Sequence, residues 1–114
     1  MSLAVRLAYA IKFVADMETA VVFHRDKLGL PLKFQSPFWS EFATGETTLA
    51  LHPASDQNPA GTVQLGYNVV DLDALYATRE ARGLSFTKPP SLQHGTKISR
   101  FLGSEGEECS LGGE

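Results

Sequence analysis

Residues 8–34, "AYAIKFVADMETAVVFHRDKLGLPLKF", and residues 63–89, "VQLGYNVVDLDALYATREARGLSFTKP", follow the same pattern. In both stretches a β-type segment leads through an aspartate into a helix-like segment, and a second extended segment follows. The aspartates are Asp16 and Asp71, whose carboxylates can accept hydrogen bonds from the free N–H groups of a first helical turn. We infer that the chain contains two copies of one structural unit.

Each helix-like segment has a predicted end and a predicted buried side. Gly29 and Gly83 follow the two segments, and glycine suits the left-handed residue just beyond a helix. Mostly apolar residues form a stripe at helical spacing within each segment, namely Met17, Ala20, Val21, His24 and Leu28 in the first and Leu72, Leu75, Tyr76 and Arg79 in the second. Both helices should therefore pack one face against a sheet.

Three short strand-like runs follow each glycine, separated by turn residues, so each half is predicted to have the order βαβββ. We expect a single domain over 1–114, with one module at 1–52, a Pro/Asn/Gly-rich linker at 53–61 and a second module at 62–114. The predicted class is α+β, with eight strands and two helices forming a curled, partly open sheet around a cleft. A ferredoxin-like arrangement fits this element order poorly.

Composition limits the classes of partner. The 114 residues suit one domain of about 100 to 150 residues, and the 43% of hydrophobic residues can form a core. Ten basic against thirteen acidic residues give a net charge of −3, without the basic stripe that nucleic acid requires. No apolar run approaches the roughly 20 residues that span a bilayer. With a single cysteine, Cys109, and no recognisable leader, we expect a cytoplasmic protein that binds neither nucleic acid nor membrane.

Two stretches resemble signatures of the vicinal oxygen chelate superfamily, which includes glyoxalase I, extradiol dioxygenases and the bleomycin resistance proteins. "VADMETAVVFHRDKLGL", residues 14–30, is similar to its first-helix signature, with Phe-His where Phe-Tyr is usual. "FLGSEGEECSL", residues 101–111, is similar to its closing turn, with Gly-Ser-Glu at 103–105 where Asp-Pro-Asp would stand. The resemblance covers nearly the whole chain and implies the same two-module fold.

The resemblance also implies where a metal would be held. Metal-dependent members place one His, Glu or Gln ligand on the first and last strand of each half, around a divalent ion such as zinc, nickel, iron or manganese. The matching positions here are Tyr9, Ala50, Gln64 and Ser110, of which only Gln64 is a conventional ligand. A shift of one residue adds only Cys109, so the standard site lacks its donors and no cofactor follows from these residues.

Other polar residues share strand faces with those positions. His52 lies two residues after Ala50, and Glu108 lies two residues before Ser110, so a relocated metal site of His52, Gln64 and Glu108 remains an alternative. An exposed histidine and a solvated carboxylate are the simpler interpretations of His52 and Glu108.

The resemblance also implies a ligand pocket in the cleft, to which a residue near a strand end and a loop residue can be added. Its proposed lining residues are Tyr9, Trp39, Gln64, His94 and Ser110. Trp39 could form an aromatic wall or fill an ordinary core. We expect His94 to lie in a loop long enough to act as a lid, although loops are commonly polar without a function.

Two functions remain open at this point. The first is a metal-free protein that binds a small organic molecule, as the bleomycin resistance proteins do, and the vacant ligand positions favour it. The second is a metal-dependent lyase resembling glyoxalase I (lactoylglutathione lyase), or a related dioxygenase or isomerase, in which Glu108 or Glu41 would move a proton. The resemblance further implies a homodimer, in which pairing would cover exposed sheet edges.

Overall fold

The computed structural model describes residues 4–113, and both halves of the chain have the order βαβββ. The first half comprises β1 (Arg6–Val14), α1 (Met17–Val22), β2 (Leu32–Phe34), β3 (Ser40–Ala43) and β4 (Thr48–Pro53). The second half comprises β5 (Val63–Val69), α2 (Leu72–Ala77), α3 (Arg79–Arg82), β6 (Phe86–Gln93), β7 (Thr96–Leu102) and β8 (Glu108–Gly113). The predicted α+β class with eight strands is confirmed.

The chain divides into two compact units. Ala8–Gln64 form what we call the N-terminal unit, whereas residues 4–7 and 65–113 form the C-terminal unit. The division falls within β1 and within β5, so each of these strands contributes residues to both units.

Each unit contains four strands with mixed pairing. The strand order is β2-β3-β4-β1 in the N-terminal unit and β5-β8-β7-β6 in the C-terminal unit. β1 runs parallel to β4, and β5 runs parallel to β8, because the intervening helix returns the chain to the same end of the sheet. The remaining neighbours are antiparallel.

The first helix begins at its predicted cap and ends in a wider turn. The Asp16 carboxylate accepts from the Thr19 amide at 3.4 Å, and Phe23–Lys27 continue α1 as a π-helical turn. His24 lies in this turn, 4% exposed, and its Nδ1 donates to the Ala20 carbonyl at 2.7 Å. His24 is therefore a satisfied core residue, as its position on the apolar stripe predicts.

The second helix is divided, where the sequence predicts one helix. The Asp71 carboxylate accepts from the Ala74 amide at 3.0 Å and caps α2 as predicted. At Thr78 the backbone leaves the helical region, with φ −100° and ψ 11°, and the Thr78 hydroxyl donates to the Ala74 carbonyl at 2.9 Å. The chain resumes as α3 and ends at Gly83, whose φ of 71° is the predicted left-handed conformation.

A separate core lies beneath the helix of each unit. The N-terminal core consists of Val14, Val21, Phe42 and Leu51. The C-terminal core consists of Val69, Leu72, Leu75 and Leu111. The helix-facing sides of the two sheets therefore supply the main apolar burial in each unit.

Glycine and proline residues shape the C-terminal sheet at two places, at Gly113 in β8 and at Pro89 and Pro90 in β6. At Gly113 a Cβ atom would lie 2.4 Å from the Val69 carbonyl oxygen, so only glycine lets the strand and α2 pack this closely. β6 is the last strand in the order, and its pairing with β7 is irregular between Lys88 and Ser91, where Pro89 and Pro90 interrupt it.

Within residues 4–113, no helix has the length and apolar character needed to cross a membrane.

Candidate functional site

The N-terminal sheet has a second face, opposite the one that packs on α1. Phe42 and Leu51 point toward α1, and Glu41 pairs with Ala50 on the alternate positions of β3 and β4. Phe13 pairs with His52 in the same way on β1 and β4. We call this surface, which carries Tyr9, Phe13, Trp39, Glu41 and His52, the aromatic face.

Four rings contact one another in series on the aromatic face, each pair in edge-to-face geometry. The ring centroids of Tyr9 and Trp39 lie 6.0 Å apart, and those of Trp39 and His52 lie 6.3 Å apart. Phe13 packs beneath His52 at 5.6 Å. Aromatic pairs favour such arrangements, so the half-buried indole is held between a phenol and an imidazole.

The Glu41 carboxylate fixes the indole in place. Trp39 Nε1 donates to Glu41 Oε2 at 2.7 Å, and Lys33 Nζ lies 3.8 Å from Glu41 Oε1. Both oxygens of Glu41 thus have a partner. In this arrangement the carboxylate orients Trp39. The sequence suggested a different role for Glu41, that of a base that moves a proton.

His52 presents a defined hydrogen-bonding edge. Its side chain is exposed, and Nδ1 lies 2.8 Å from the Pro53 carbonyl oxygen. Because a carbonyl can only accept, Nδ1 carries the hydrogen in the neutral ring and Nε2 carries a lone pair. His52 can therefore accept a hydrogen bond from a molecule on the aromatic face.

A second polar group lies on the C-terminal sheet, on the face opposite α2. Glu108 and Ser110 alternate with the buried Cys109 and Leu111, and Arg100 pairs with Ser110 across β7 and β8. Arg100 Nη1 lies 3.1 Å from Glu108 Oε1, and the Thr87 hydroxyl donates to Glu108 Oε2 at 2.7 Å. The Glu108 carboxylate is thus ion-paired and hydrogen-bonded while its side chain remains 36% exposed.

Sequence reasoning missed Lys33, Thr87 and Arg100. Each contacts a carboxylate that the sequence singled out, and each lies on another strand, with Lys33 and Arg100 on the neighbouring strand and Thr87 on β6, beyond β7. The alternation of "TKISRFL" could have placed Arg100 on one face, but its partner depends on the register between β7 and β8.

Gln64 and His94 are the other two residues that the sequence predicts for the site. Gln64 is half-buried in β5 as the last residue of the N-terminal unit. His94 is exposed, with φ 51°, and together with Gly95 it forms a two-residue turn, because Gln93 pairs directly with Thr96. The expected lid-length loop at His94 is therefore wrong, since the turn is too short to cover a pocket.

The donor chemistry does not fit the metal site of the metal-dependent proteins. Ala50 is fully buried and carries only a methyl group, and Tyr9 offers a phenol. Between residues 4 and 113, no three His, Cys, Asp or Glu side chains lie close enough together to hold a metal ion. A divalent ion commonly needs three or more protein donors, so we derive no chemistry through a metal.

Comparison with protein families gives one match. A sequence model of the Glyoxalase/Bleomycin resistance protein/Dioxygenase superfamily matches residues 6–107. Comparison with curated protein sequences finds no match.

Solved structures share the fold at low identity. A hypothetical protein from Bacillus halodurans C-125 superposes with a TM-score of 0.80 at 14% identity, covering 97% of this chain and 95% of that chain. Methylmalonyl-CoA epimerase from Mycobacterium tuberculosis gives 0.77 at 18%, covering 94% and 86%. A superfamily member from Vibrio splendidus 12B01 gives 0.65 at 16%, covering 96% and 98%. At these identities the likeness concerns the fold alone.

Proposed function

This chain belongs to the Glyoxalase/Bleomycin resistance protein/Dioxygenase superfamily, and from that premise we propose that it binds a small planar aromatic molecule on its aromatic face. Fold membership alone does not select a ligand, so the proposal depends on the side chains at the surface. The observation that carries it is the 2.7 Å hydrogen bond from Trp39 Nε1 to the Glu41 carboxylate.

That hydrogen bond prepares the surface for a flat ligand. An indole that is already oriented loses little side-chain freedom when a ring packs on it, and this lowers the cost of binding. Tyr9 and His52 flank the indole at 6.0 and 6.3 Å, so the surface offers aromatic area together with an acceptor at His52. A planar ligand with one hydrogen-bond donor matches these groups. Ligand contacts by Gln64, His94 and Ser110 stay a prediction from the sequence.

Fluorescence can test the proposal directly, because Trp39 is the single tryptophan. We expect 4-nitrophenol to quench Trp39 emission saturably, whereas cyclohexanol, which is apolar but not planar, should not. Calorimetry with the Trp39→Leu variant should show an affinity for 4-nitrophenol lower by about tenfold, from lost stacking and contact area.

The neighbouring residue supplies a matched control. Phe38 is 74% exposed and takes no part in the ring contacts described above, so Phe38→Leu should bind 4-nitrophenol as the natural chain does. Equal affinity of the Trp39→Leu variant and the natural chain would overturn the proposal, as would quenching that never saturates.

A metal-dependent lyase of the glyoxalase I type, or a related dioxygenase or isomerase, is the alternative. It would need Glu108 or Glu41 as a base and a relocated site at His52, Gln64 and Glu108. Both carboxylates already have partners, Glu41 with Trp39 and Glu108 with Arg100, which supports a positioning role over proton transfer. Stoichiometric nickel or zinc in elemental analysis, together with turnover of a hemithioacetal, would favour this alternative.

We also propose that the chain forms a homodimer. Phe34 and Leu92 are 53% and 72% exposed on β2 and β6, which end the strand orders of their units, and pairing with a second copy can cover such edges. Light scattering after gel filtration should give about twice the monomer mass of 12.4 kDa. A mass equal to the monomer at micromolar concentration would contradict the proposal.

A further inference from the structure

A cavity lies on the helix-covered side of the C-terminal unit. Its volume is about 390 Å³, and its lining includes Tyr67, Leu75, Leu84, Phe101, Leu111 and Arg82. Tyr67 pairs with Leu111 and Phe101 pairs with Cys109, so these rings are on the sheet face opposite Glu108 and Ser110. The cavity is therefore distinct from the polar group around Glu108.

The lining is apolar with one cation. Val5 from the N-terminal segment completes a wall of aliphatic and aromatic side chains, and Arg82 is the single charged residue of the lining. Arg82 Nε donates to the Thr78 hydroxyl at 3.0 Å, which orients the guanidinium. None of the ion pairs between residues 4 and 113 involves Arg82. Among the described residues, the terminal nitrogens of Arg82 therefore have no carboxylate partner, so they can bind an anion.

The cavity and the cation together indicate the ligand's chemistry. Pockets of about 300 to 1,000 Å³ hold small organic ligands, with a few polar groups fixing their orientation, and this cavity falls at the lower end. Arginine binds carboxylates through paired N–H donors. We propose that the cavity is a second binding site, which takes a small apolar monocarboxylate with its chain against Leu75, Leu84 and Leu111 and its carboxylate on Arg82.

Octanoate is a suitable probe for this site. In a methyl NMR spectrum of the full chain, octanoate should shift the signals of Leu75, Leu84 and Leu111 saturably. Calorimetry should then show that Arg82→Gln weakens octanoate binding by about tenfold, because a hydrogen-bonded charge pair is lost. Octanol has the same chain without the charge, so the natural protein and the Arg82→Gln variant should bind it equally.

A control variant separates the local contact from net charge. Arg25→Gln removes the same charge from an exposed pair with Asp26 in the N-terminal unit, and it should leave octanoate affinity unchanged. The proposal is overturned if octanoate leaves the three leucine signals unmoved, or if Arg82→Gln binds octanoate as tightly as the natural chain. It is also overturned if those leucines are buried by a second copy of the chain that octanoate does not displace. Trp39 emission reports the aromatic face independently, so the two sites can fail separately.

Discussion

At the scale of single residues, Cys109 shows how burial controls reactivity. Its side chain is buried in β8, and burial, followed by the negative charges of Glu107 and Glu108, raises the pKa of the thiol. A raised pKa lowers the fraction of thiolate, the reactive form, at any given pH. We expect Ellman's reagent at about pH 8 to modify Cys109 at least about tenfold more slowly in the folded protein than in guanidinium chloride.

The unfolded chain is the control for that measurement, because it keeps the same sequence and loses the burial. Similar rates in the two states would mean that the folded thiol is accessible and ionises normally. In that case Cys109 would have to be reconsidered as a functional group.

The sequence predicted several candidate residues but not the side chains that contact them. Trp39, Glu41 and Glu108 were identified as candidates because strand alternation predicts which side chains share a face. Alternation does not predict their partners. The contacts of Glu41 with Lys33, and of Glu108 with Arg100, depend on the register between strands and on side-chain rotamers.

At the scale of elements, the two aspartate caps should differ in strength. Asp71 accepts from the Ala74 amide at 3.0 Å, whereas Asp16 accepts from the Thr19 amide at 3.4 Å. We expect Asp71→Ala to lower the free energy of unfolding by about 1 kcal/mol and Asp16→Ala to lower it by less. Urea unfolding followed by circular dichroism measures both values.

Asp56 provides the control for these caps. It is exposed in the segment between β4 and β5, so Asp56→Ala removes the same charge without removing a cap. A loss of stability in Asp56→Ala equal to that in Asp71→Ala would assign the effect to charge rather than to capping.

The close packing of β8 allows a second comparison between neighbouring glycines. A Cβ at Gly113 would lie 2.4 Å from the Val69 carbonyl oxygen, but a Cβ at Gly112 would meet nothing nearer than Asn68 Nδ2 at 3.7 Å. Gly113→Ala should therefore cost about 1 to 3 kcal/mol of stability, through overpacking against backbone that cannot move aside cheaply. Gly112→Ala should cost much less, and the reverse order in thermal melts would contradict this account.

Element boundaries were predictable where a specific side chain sets them. Asp16, Asp71 and Gly83 mark their helix ends as the sequence indicates. The interruption at Thr78 was not predicted, because threonine is compatible with a helix until its hydroxyl takes the Ala74 carbonyl. The π-helical turn after α1 was missed for a similar reason, since apolar spacing does not distinguish it from an α-helix.

At the scale of the whole molecule, stability depends on a separate core in each unit. Phe42 is fully buried beneath α1, and its neighbour in sequence, Phe38, is 74% exposed. We expect Phe42→Ala to lower the free energy of unfolding by about 3 to 5 kcal/mol, because it removes buried contacts and leaves a cavity. Phe38→Ala should change it by no more than about 0.5 kcal/mol in the same guanidinium titration. Comparable losses in the two variants would mean that Phe38 is covered in solution.

The architecture was more predictable than the chemistry. Duplication of one pattern within the chain doubles the evidence for each element, and the order βαβββ follows in both halves. The contacts of the candidate site are not repeated between the two halves in this way. Several of its contacts join residues on different strands, such as Lys33 with Glu41 and Thr87 with Glu108, and a single sequence contains no measure of that proximity.

The paired prolines of β6 also affect how the molecule behaves in crowded solution. Pro89 and Pro90 have no amide hydrogen, and they occur in the strand at the end of the C-terminal order. An incoming strand would find no donors over this stretch, so edge-to-edge growth into amyloid-like ribbons is blocked there.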